Sequence, residues 1–409
     1  MKHKLLILSE DFPPYPGGIA QWARGIAVGI AKMGVEVHVL TRHRKDFIPT
    51  APHPNVHLHF VYGKRWAQFR SLYYRRAVRE LLAKVFGIDT IIATTWNVAR
   101  GLGSIIAAER IRLLTVLHGM EITRRMPRWK RALLLHTLYK SNLLIAVSQF
   151  TAQSVLRLDP LLKHKMYVFP NGVDPDRFRP DIDPRPLRER YQLTGEEKIL
   201  LTLSRIIERK GHDRVLEALP SVIQHFPHTR YFICGPGDPA YVAKLRAMVE
   251  QKGLEPYVIF EGYVPEADLP VFYNLCDVYI MLARTIAETG DVEGFGITYL
   301  EANACGKPVI AGCSGGVTDA VIDGVTGLCV DPDNVPAIAD TICRLFADPA
   351  LAQRLGRAGR QRIERELSWD RIAEKMLPLL FPLTHVNLAE PNPSSVYNEQ
   401  VETNQGETQ

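Results

Sequence analysis

The chain has 409 residues, 46% of them hydrophobic and 23% charged; this is the balance of an ordinary folded protein, and the length exceeds what one core of ~100–200 residues serves. The net charge of +6 hides a split, because residues 1–180 hold 28 Lys and Arg against 11 Asp and Glu, whereas residues 181–409 hold 22 against 33. Two domains are expected, the first facing something anionic (a phospholipid surface, a phosphate-bearing acceptor or nucleic acid), and a membrane-spanning chain is excluded because no stretch approaches ~18–20 apolar residues.

Leu5–Leu8 is four apolar residues ahead of Ser9, Glu10 and Asp11, too short for a signal-peptide core of ~7–15 residues. It is expected to be a buried strand, and the chain to be cytoplasmic. Pro13-Pro14-Tyr15-Pro16-Gly17-Gly18 then separates this strand from a helical pattern over Ile19–Lys32. A double glycine there lets a ligand approach the backbone, although a plain tight turn explains it equally. Further apolar runs follow at Val35–Leu40, Val56–Val61, Thr90–Ala93, Leu113–Leu117, Leu143–Val147 and Met166–Phe169, with helical periodicity over Leu72–Lys84. Such alternation predicts a doubly wound α/β sheet of buried parallel strands.

Two stretches of this half mix cations with aromatics: Lys64-Arg65-Trp66-Ala-Gln-Phe69-Arg70-Ser-Leu-Tyr73-Tyr74-Arg75-Arg76 and Arg124-Arg125-Met-Pro-Arg128-Trp129-Lys130-Arg131. On an amphipathic helix that composition rests on an anionic bilayer, each cation adding ~1 kcal/mol near the surface; a solvated basic face is the plain alternative.

After Asn171-Gly172-Val173-Asp174, the prolines Pro175, Pro180, Pro184 and Pro186 mark a linker. A second series of strands is expected at Ile199–Leu203, Tyr231–Cys234, Val258–Phe260, Val278–Met281, Pro308–Ala311 and Gly327–Val330, with a helix at Asp213–His225. Leu351–Pro378 reads as helical, and Asn387–Gln409, polar and acidic, as unstructured. The six cysteines all lie in this half without a C-x-x-C pair and read as reduced core residues, neither a zinc site nor a disulfide framework.

The most informative string is Asp291-Val-Glu-Gly-Phe-Gly-Ile-Thr-Tyr-Leu-Glu301. Glu293 precedes a Gly294-Phe295-Gly296 turn that opens a helix over Ile297–Ala304, and free N–H groups at such a start can receive a diphosphate. Glu301 follows about one turn inside, so the two carboxylates suit sugar hydroxyls at one end of a donor and a ribose at the other. Upstream, Ser204-Arg205-Ile-Ile-Glu-Arg-Lys210-Gly211 joins a strand to a helix. Arg205 and Lys210 there can neutralise a leaving diphosphate, whereas Arg209 reads as a solvated surface charge. His118 ends the strand Leu113–Leu117 ahead of Gly119; a lone strand-end histidine is ordinarily structural.

Taken together these residues resemble the retaining glycosyltransferases of family 4, over nearly all of residues 1–380. The resemblance implies the GT-B fold: two Rossmann-like, doubly wound α/β domains facing across a cleft. Residues 1–180 would bind the acceptor and 181–370 the nucleotide-sugar donor. Residues 371–386 would form a helix returning towards the first domain, and 387–409 a disordered tail. It also implies roles. Arg205 and Lys210 would hold the diphosphate, Glu293 the transferred sugar, and Phe295, Gly296 and Ile297 phosphates and sugar through backbone. Glu301 would hold the ribose and the Val264 backbone the base, with Gly17 and Gly18 across the cleft near the reacting bond. The His118 imidazole would lie beside the transferred sugar.

Within the family the donor string is similar to that of bacterial phosphatidylinositol-mannoside mannosyltransferases and relatives in polysaccharide assembly. GDP-mannose is then the expected co-substrate, with no metal or other cofactor, and a lipid-linked or glycan acceptor. No Asp-x-Asp string is present, and no nucleic-acid partner is expected. UDP-linked hexoses are the second choice of donor. A nucleotide-sugar epimerase of the same fold would work without an acceptor, and a nucleic-acid-binding protein would leave the Glu293/Glu301 pair unexplained. A dinucleotide-dependent dehydrogenase would place G-x-G-x-x-G after the first strand, where this chain has none.

Overall fold

In the computed structural model, which describes residues 3–45, 49–63 and 66–382, every apolar run named above is a strand. β1 (Lys4–Ser9), β2 (Glu36–Arg42), β3 (Val56–Val61), β4 (Ile88–Ala93), β5 (Arg112–Leu117), β6 (Leu143–Ala146) and β7 (Met166–Val168) form one sheet in the order β3-β2-β1-β4-β5-β6-β7. β8 (Lys198–Leu203), β9 (Thr229–Cys234), β10 (Val258–Gly262), β11 (Val278–Met281), β12 (Val309–Gly312) and β13 (Leu328–Val330) form the second, in the order β10-β9-β8-β11-β12-β13. Neighbouring strands are parallel throughout. Helices cover both faces, so central strands such as β1 and β8 are buried along nearly their whole length. β3, expected to be buried, is half-exposed through its middle, because an edge strand has a neighbour on one side only.

In each sheet the winding reverses beside the first strand, β1 lying between β2 and β4 and β8 between β9 and β11. A crevice opens beyond the carboxyl ends of strands at such a switch point. Gly17-Gly18 follows β1 and Arg205–Lys210 follows β8, so the topology delivers both segments to crevices.

The helix expected over Leu351–Pro378 is interrupted. Pro349–Arg362 continues into a wider π-type turn at Ile363–Leu367, Ser368 is extended, and a new helix runs over Trp369–Leu380. The Ser368 hydroxyl caps this helix by accepting from the Arg371 N–H. The chain entering the linker passes through the break: Val173 N–H donates to the Leu367 carbonyl at 2.9 Å, and Trp369 N–H to the Val173 carbonyl at 3.3 Å. The two crossings between the sheets therefore run side by side.

The last helix begins at Trp369, two residues ahead of the expected 371, and is fastened to the first sheet. Thr90 Oγ1 donates to the Leu380 carbonyl at 2.9 Å and Arg112 Nη1 to that of Leu379 at 2.7 Å. It also packs on the helix Gly18–Lys32. A Cβ added at Gly25 would stand 2.2 Å from the Trp369 ring, and one at Gly29 2.7 Å from Ala373 Cβ, so the absence of side chains lets the helices meet. Residues 383–386 of the expected helix and the tail at 387–409 lie outside the described residues.

Candidate active site

β11 ends at Met281 and the chain loops to Glu293, Gly294 and Gly296. Gly296 has φ +98° and caps the helix Ile297–Ala304 without any side-chain hydrogen bond to its first turn. The first N–H groups of that helix are thus left for a ligand, at the positive end of its dipole. Glu293 stands just ahead of this start, its side chain only 12% exposed. One of its oxygens receives both Arg209 Nη1 at 2.5 Å and Lys210 Nζ at 2.6 Å. Burial alone would raise the Glu293 carboxyl, yet Lys210 and Arg209 beside it hold it down at about 2. Burial also lowers the Lys210 ammonium to about 8, against the pull of Glu293, so Lys210 and Glu293 form an ion pair at neutral pH.

Arg209 corrects the sequence expectation. It is 5% exposed and shares Glu293 with Lys210, whereas Arg205 is the exposed member of the group and carries no ion pair among the described residues. The cause is the short turn Glu208–Lys210, which closes on Gly211 at φ +72°. A Cβ on Gly211 would lie 2.1 Å from the Leu282 carbonyl, and this tight seat turns both Arg209 and Lys210 inward. Arg284 steadies the turn from below: its guanidinium grips Asp213 at 2.9 and 2.8 Å, and its N–H donates to the Arg209 carbonyl at 2.9 Å. Three cations around one carboxylate leave positive charge over for an anion at the open side, where Arg205 stands.

Glu301 is 8% exposed and accepts a 2.6 Å hydrogen bond from the buried Tyr273 hydroxyl. Its burial raises the carboxyl, while the Tyr273 bond and Arg177 oppose that shift. Val264 is 6% exposed, just beyond β10. Two residues on, Glu266 accepts from Gln21 Nε2 of the first half at 2.6 Å and from Arg177 Nη1 at 3.2 Å. Phe295 is fully buried, so its backbone is what it presents.

On the opposing side Gly17, at φ +140°, precedes the helix Gly18–Lys32. A Cβ on Gly18 would lie 3.6 Å from Ile297 Cδ1, so two helix starts confront each other across the crevice. His118 follows β5 directly and meets Trp22 edge-on at 6.1 Å between ring centroids. Burial depresses its pKa to about 4, against a hydrogen bond to the Thr94 backbone. That bond engages Nδ1, because Nε2 is buried without a partner. The ring is therefore neutral with a free acceptor at Nε2, suited to a hydroxyl donor. Directly behind it, Gly294 comes so near that an added Cβ would stand 1.9 Å from the His118 carbonyl oxygen.

The structure thus brings Gly18 against Ile297, Gly294 against His118 and Lys210 against Glu293 just ahead of Gly296, with Arg205 exposed nearby, whereas Glu301 is held by Tyr273 and Val264 lies buried just beyond β10. Sequence reasoning missed Arg209, the Gln21–Glu266 bridge, Gly119 and the turn Gly315-Gly316. Gly316 N–H donates to the Glu293 carbonyl at 2.8 Å, and a Cβ at Gly316 would overlap the Gly294 carbonyl at 2.0 Å. The signal was present: a double glycine after a strand, as at Gly17-Gly18.

The basic stretches are only partly free. Arg70 pairs with Glu10 at 3.0 Å, Tyr74 is fully buried with its hydroxyl on the Ser9 carbonyl, and Arg124 joins the halves through Asp291, Nη2 to Oδ2 at 2.9 Å. Lys64 and Arg65 lie outside the described residues. Arg128, Trp129, Lys130 and Arg131 are exposed at the start of the helix Arg128–Lys140. Of the cysteines expected in the core, Cys234, Cys276 and Cys305 are buried, but Cys313, just past β12, is exposed, Cys329 on the edge strand β13 is half-buried, and Cys343 is half-buried on the helix Val335–Ala347. Among the described residues no group of three or more His, Cys, Asp or Glu is placed to hold a metal ion, and no helix is long and apolar enough to cross a membrane.

Comparison with known proteins agrees with this architecture. Residues 16–177 match the family described as Glycosyltransferase Family 4, and residues 184–362 that described as Glycosyl transferases group 1. The chain is 32% identical over 385 residues to the GDP-mannose-dependent alpha-(1-6)-phosphatidylinositol monomannoside mannosyltransferase of Mycolicibacterium smegmatis, covering 92% of this chain and 98% of that one. A related enzyme of Corynebacterium glutamicum, acting on the monoacylated monomannoside, is 28% identical over 388 residues, covering 92% and 97%. Among solved structures, sucrose-phosphate synthase from Thermosynechococcus elongatus superposes with a TM-score of 0.76 at 24% identity, covering 92% of this chain and 98% of that one. Anabaena HepE, in complex with UDP and glucose, gives 0.76 at 21% identity, covering 92% and 99%. The chain therefore belongs to the family 4 glycosyltransferases and has their GT-B fold of two Rossmann-like α/β domains.

Proposed function

We propose that the enzyme transfers mannose from GDP-mannose, with retained anomeric configuration, to a lipid-linked or polysaccharide acceptor in cell-envelope glycan synthesis. The observation that carries this reading is the Glu293 carboxylate pinned by Arg209 and Lys210 ahead of the uncapped helix start at Gly296. Arg205, Lys210 and the N–H groups beyond Gly296 hold the diphosphate and stabilise its charge as it leaves, which lets the reaction proceed without a metal. Glu293 and His118 Nε2 address hydroxyls of the transferred sugar, backbone at Phe295, Gly296 and Ile297 lines the sugar and phosphates, and Glu301 takes the ribose. Gly17 and Gly18 leave room for the reacting bond, and the Val264 backbone meets the base. Residues 1–180 present the acceptor and 181–370 the donor. The mannosyl donor is supported by the relatives from M. smegmatis and C. glutamicum, both named as GDP-mannose-dependent.

Calorimetric titration of GDP, UDP and ADP into the protein and into Glu301→Ala tests the reading. Preferential GDP binding, weakened at least tenfold in the variant, is expected. UDP preference would replace the donor with a UDP-hexose, and binding of none would remove the donor site. A sugar nucleotide converted without acceptor would make the enzyme an epimerase.

The exposed Arg128-Trp129-Lys130-Arg131 turn supports a second element of the proposal, peripheral binding to an anionic bilayer. Co-sedimentation with acidic liposomes should fall steeply with added salt; equal retention on neutral vesicles would count against it.

A further inference from the structure

The chain on either side of Glu293 grips the first half of the molecule. Ahead of Glu293, residues 285–291 form a turn beyond β11, the Ile286 N–H donating to the Asp291 carbonyl at 2.9 Å and the Gly290 N–H to that of Ile286 at 2.8 Å. The tip of this turn lies on Thr123–Arg125. Arg125 N–H donates to the Thr289 carbonyl at 3.3 Å, and a Cβ at Gly290 would stand 2.5 Å from the Thr123 carbonyl oxygen. The Arg124 guanidinium takes the Asp291 carboxylate with two N–H groups, Nη2 to Oδ2 at 2.9 Å.

Behind Glu293, Gly316 holds its carbonyl and leads into the turn Val317–Ala320. Asp319 Oδ1 of that turn accepts the Gln149 N–H at 3.1 Å, at the first residue of the first-half helix Gln149–Leu158. A carboxylate there satisfies an N–H that has no partner within the helix and sits at the positive end of the dipole. Arg362 fixes the turn from the other side, donating to the Asp319 and Ala320 carbonyls at 2.8 Å each. Thr285 Oγ1 and Ser314 Oγ, 2.8 Å apart, tie the two flanks together within the second half.

We propose that Asp291 and Asp319 are positioning residues for the transfer: two carboxylates that clamp the Glu293–Gly296 segment onto the His118–Gly119 turn, one on each flank. Both are engaged by the first half, Asp291 by Arg124 and Asp319 by the helix start, so they act through the chain between them. That chain crosses the His118 carbonyl at Gly294 with no room for a methyl group, and Glu293 and His118 keep one spacing while both flanks hold. The inference rests on the use of Glu293 and His118 at the transferred sugar proposed above. The nucleotide end, given there to Arg205, Lys210, Glu301 and Val264 of the second half alone, does not need the clamp.

The test compares amide exchange in the ligand-free chain with that in Asp291→Asn and Asp319→Ala, singly and together, read at Arg125 and Gly316. Neither of these amides bonds a substituted side chain. In the double variant both should exchange roughly fivefold faster, the worth of two such contacts, and Asp319→Ala alone should already speed Arg125, on the opposite flank. Affinity for GDP, measured by calorimetry, should be unchanged in every variant. Exchanging the charges, Arg124→Asp with Asp291→Arg, should return Arg125 to the wild-type rate. Acceleration confined to the substituted flank, or GDP affinity falling in step with it, would make the two residues local supports of their own turns and overturn the proposal, as would no acceleration. Wild-type protein that bound no GDP would fault the donor reading instead, and the exchange comparison would still decide the clamp.

Discussion

A carboxylate with two cations on one oxygen is a stability device as well as a binding one. The Glu293 pKa is depressed to about 2 in the folded chain, so its contribution is fully present above the ordinary carboxylate value and is lost as pH falls from ~4.5 towards 2. Glu293→Gln leaves Arg209 and Lys210 buried without their counter-charge and should cost about 3 kcal/mol. It should also flatten the acid limb of a stability–pH curve, measured as urea midpoints between pH 3 and pH 7; an unchanged limb would refute the assignment. His118 behaves differently. Held neutral down to about pH 4, it should add no step to the rate profile above pH 5.5. His118→Ala should nevertheless lower kcat by roughly 10–100-fold, the worth of one or two hydrogen bonds made in a dry site, with GDP affinity largely kept.

Between elements, close backbone approach sets the geometry. The loop carrying Glu293 touches the first half where Gly294 meets the His118 carbonyl, and Gly315-Gly316 closes behind it. Gly294→Ala must displace one loop from the other, and it should lower both the melting temperature and kcat. Gly296→Ala meets two penalties: a left-handed φ costing about 1–2 kcal/mol, and a Cβ 2.6 Å from the Tyr299 ring. Weaker GDP binding by calorimetry is the expected consequence; wild-type affinity would mean that the helix start takes no part. Neither contact is visible in a linear pattern. A glycine in a string reports that a side chain is unwanted, whereas what would collide with it depends on chain distant in sequence.

At the scale of the molecule, the last helix is covalently the end of the second series of elements but packs on the first. Trp369 covers Gly25 and Gly172, and Lys32 binds Asp370 at 2.8 Å. Removing residues 369–409 should expose the apolar face of Gly18–Lys32 around Ile26 and Ile30 and yield aggregated protein. The milder Trp369→Ala should remain soluble and lose about 2 kcal/mol, for a side chain only partly buried. A truncated chain that stays monodisperse with a wild-type melting temperature would show the helix to be dispensable. The charge split belongs to this scale too, because Arg124 and Asp291 spend one cation and one anion on joining the halves while Arg128, Lys130 and Arg131 stay exposed.

By itself the sequence determined the class of fold, since buried parallel strands must be written as short apolar runs, and thirteen strands fall where those runs occur. It also determined the helix start at Gly296 and the pair Glu293 and Glu301, because a glycine turn flanked by carboxylates is local. Only the tertiary structure decided that Arg209 points inward, that His118 keeps Nε2 free, and that the helix over 349–380 breaks at Ser368 to let through the chain entering the linker. Each depends on which surfaces are pressed together, and burial is a property of neighbours far along the chain.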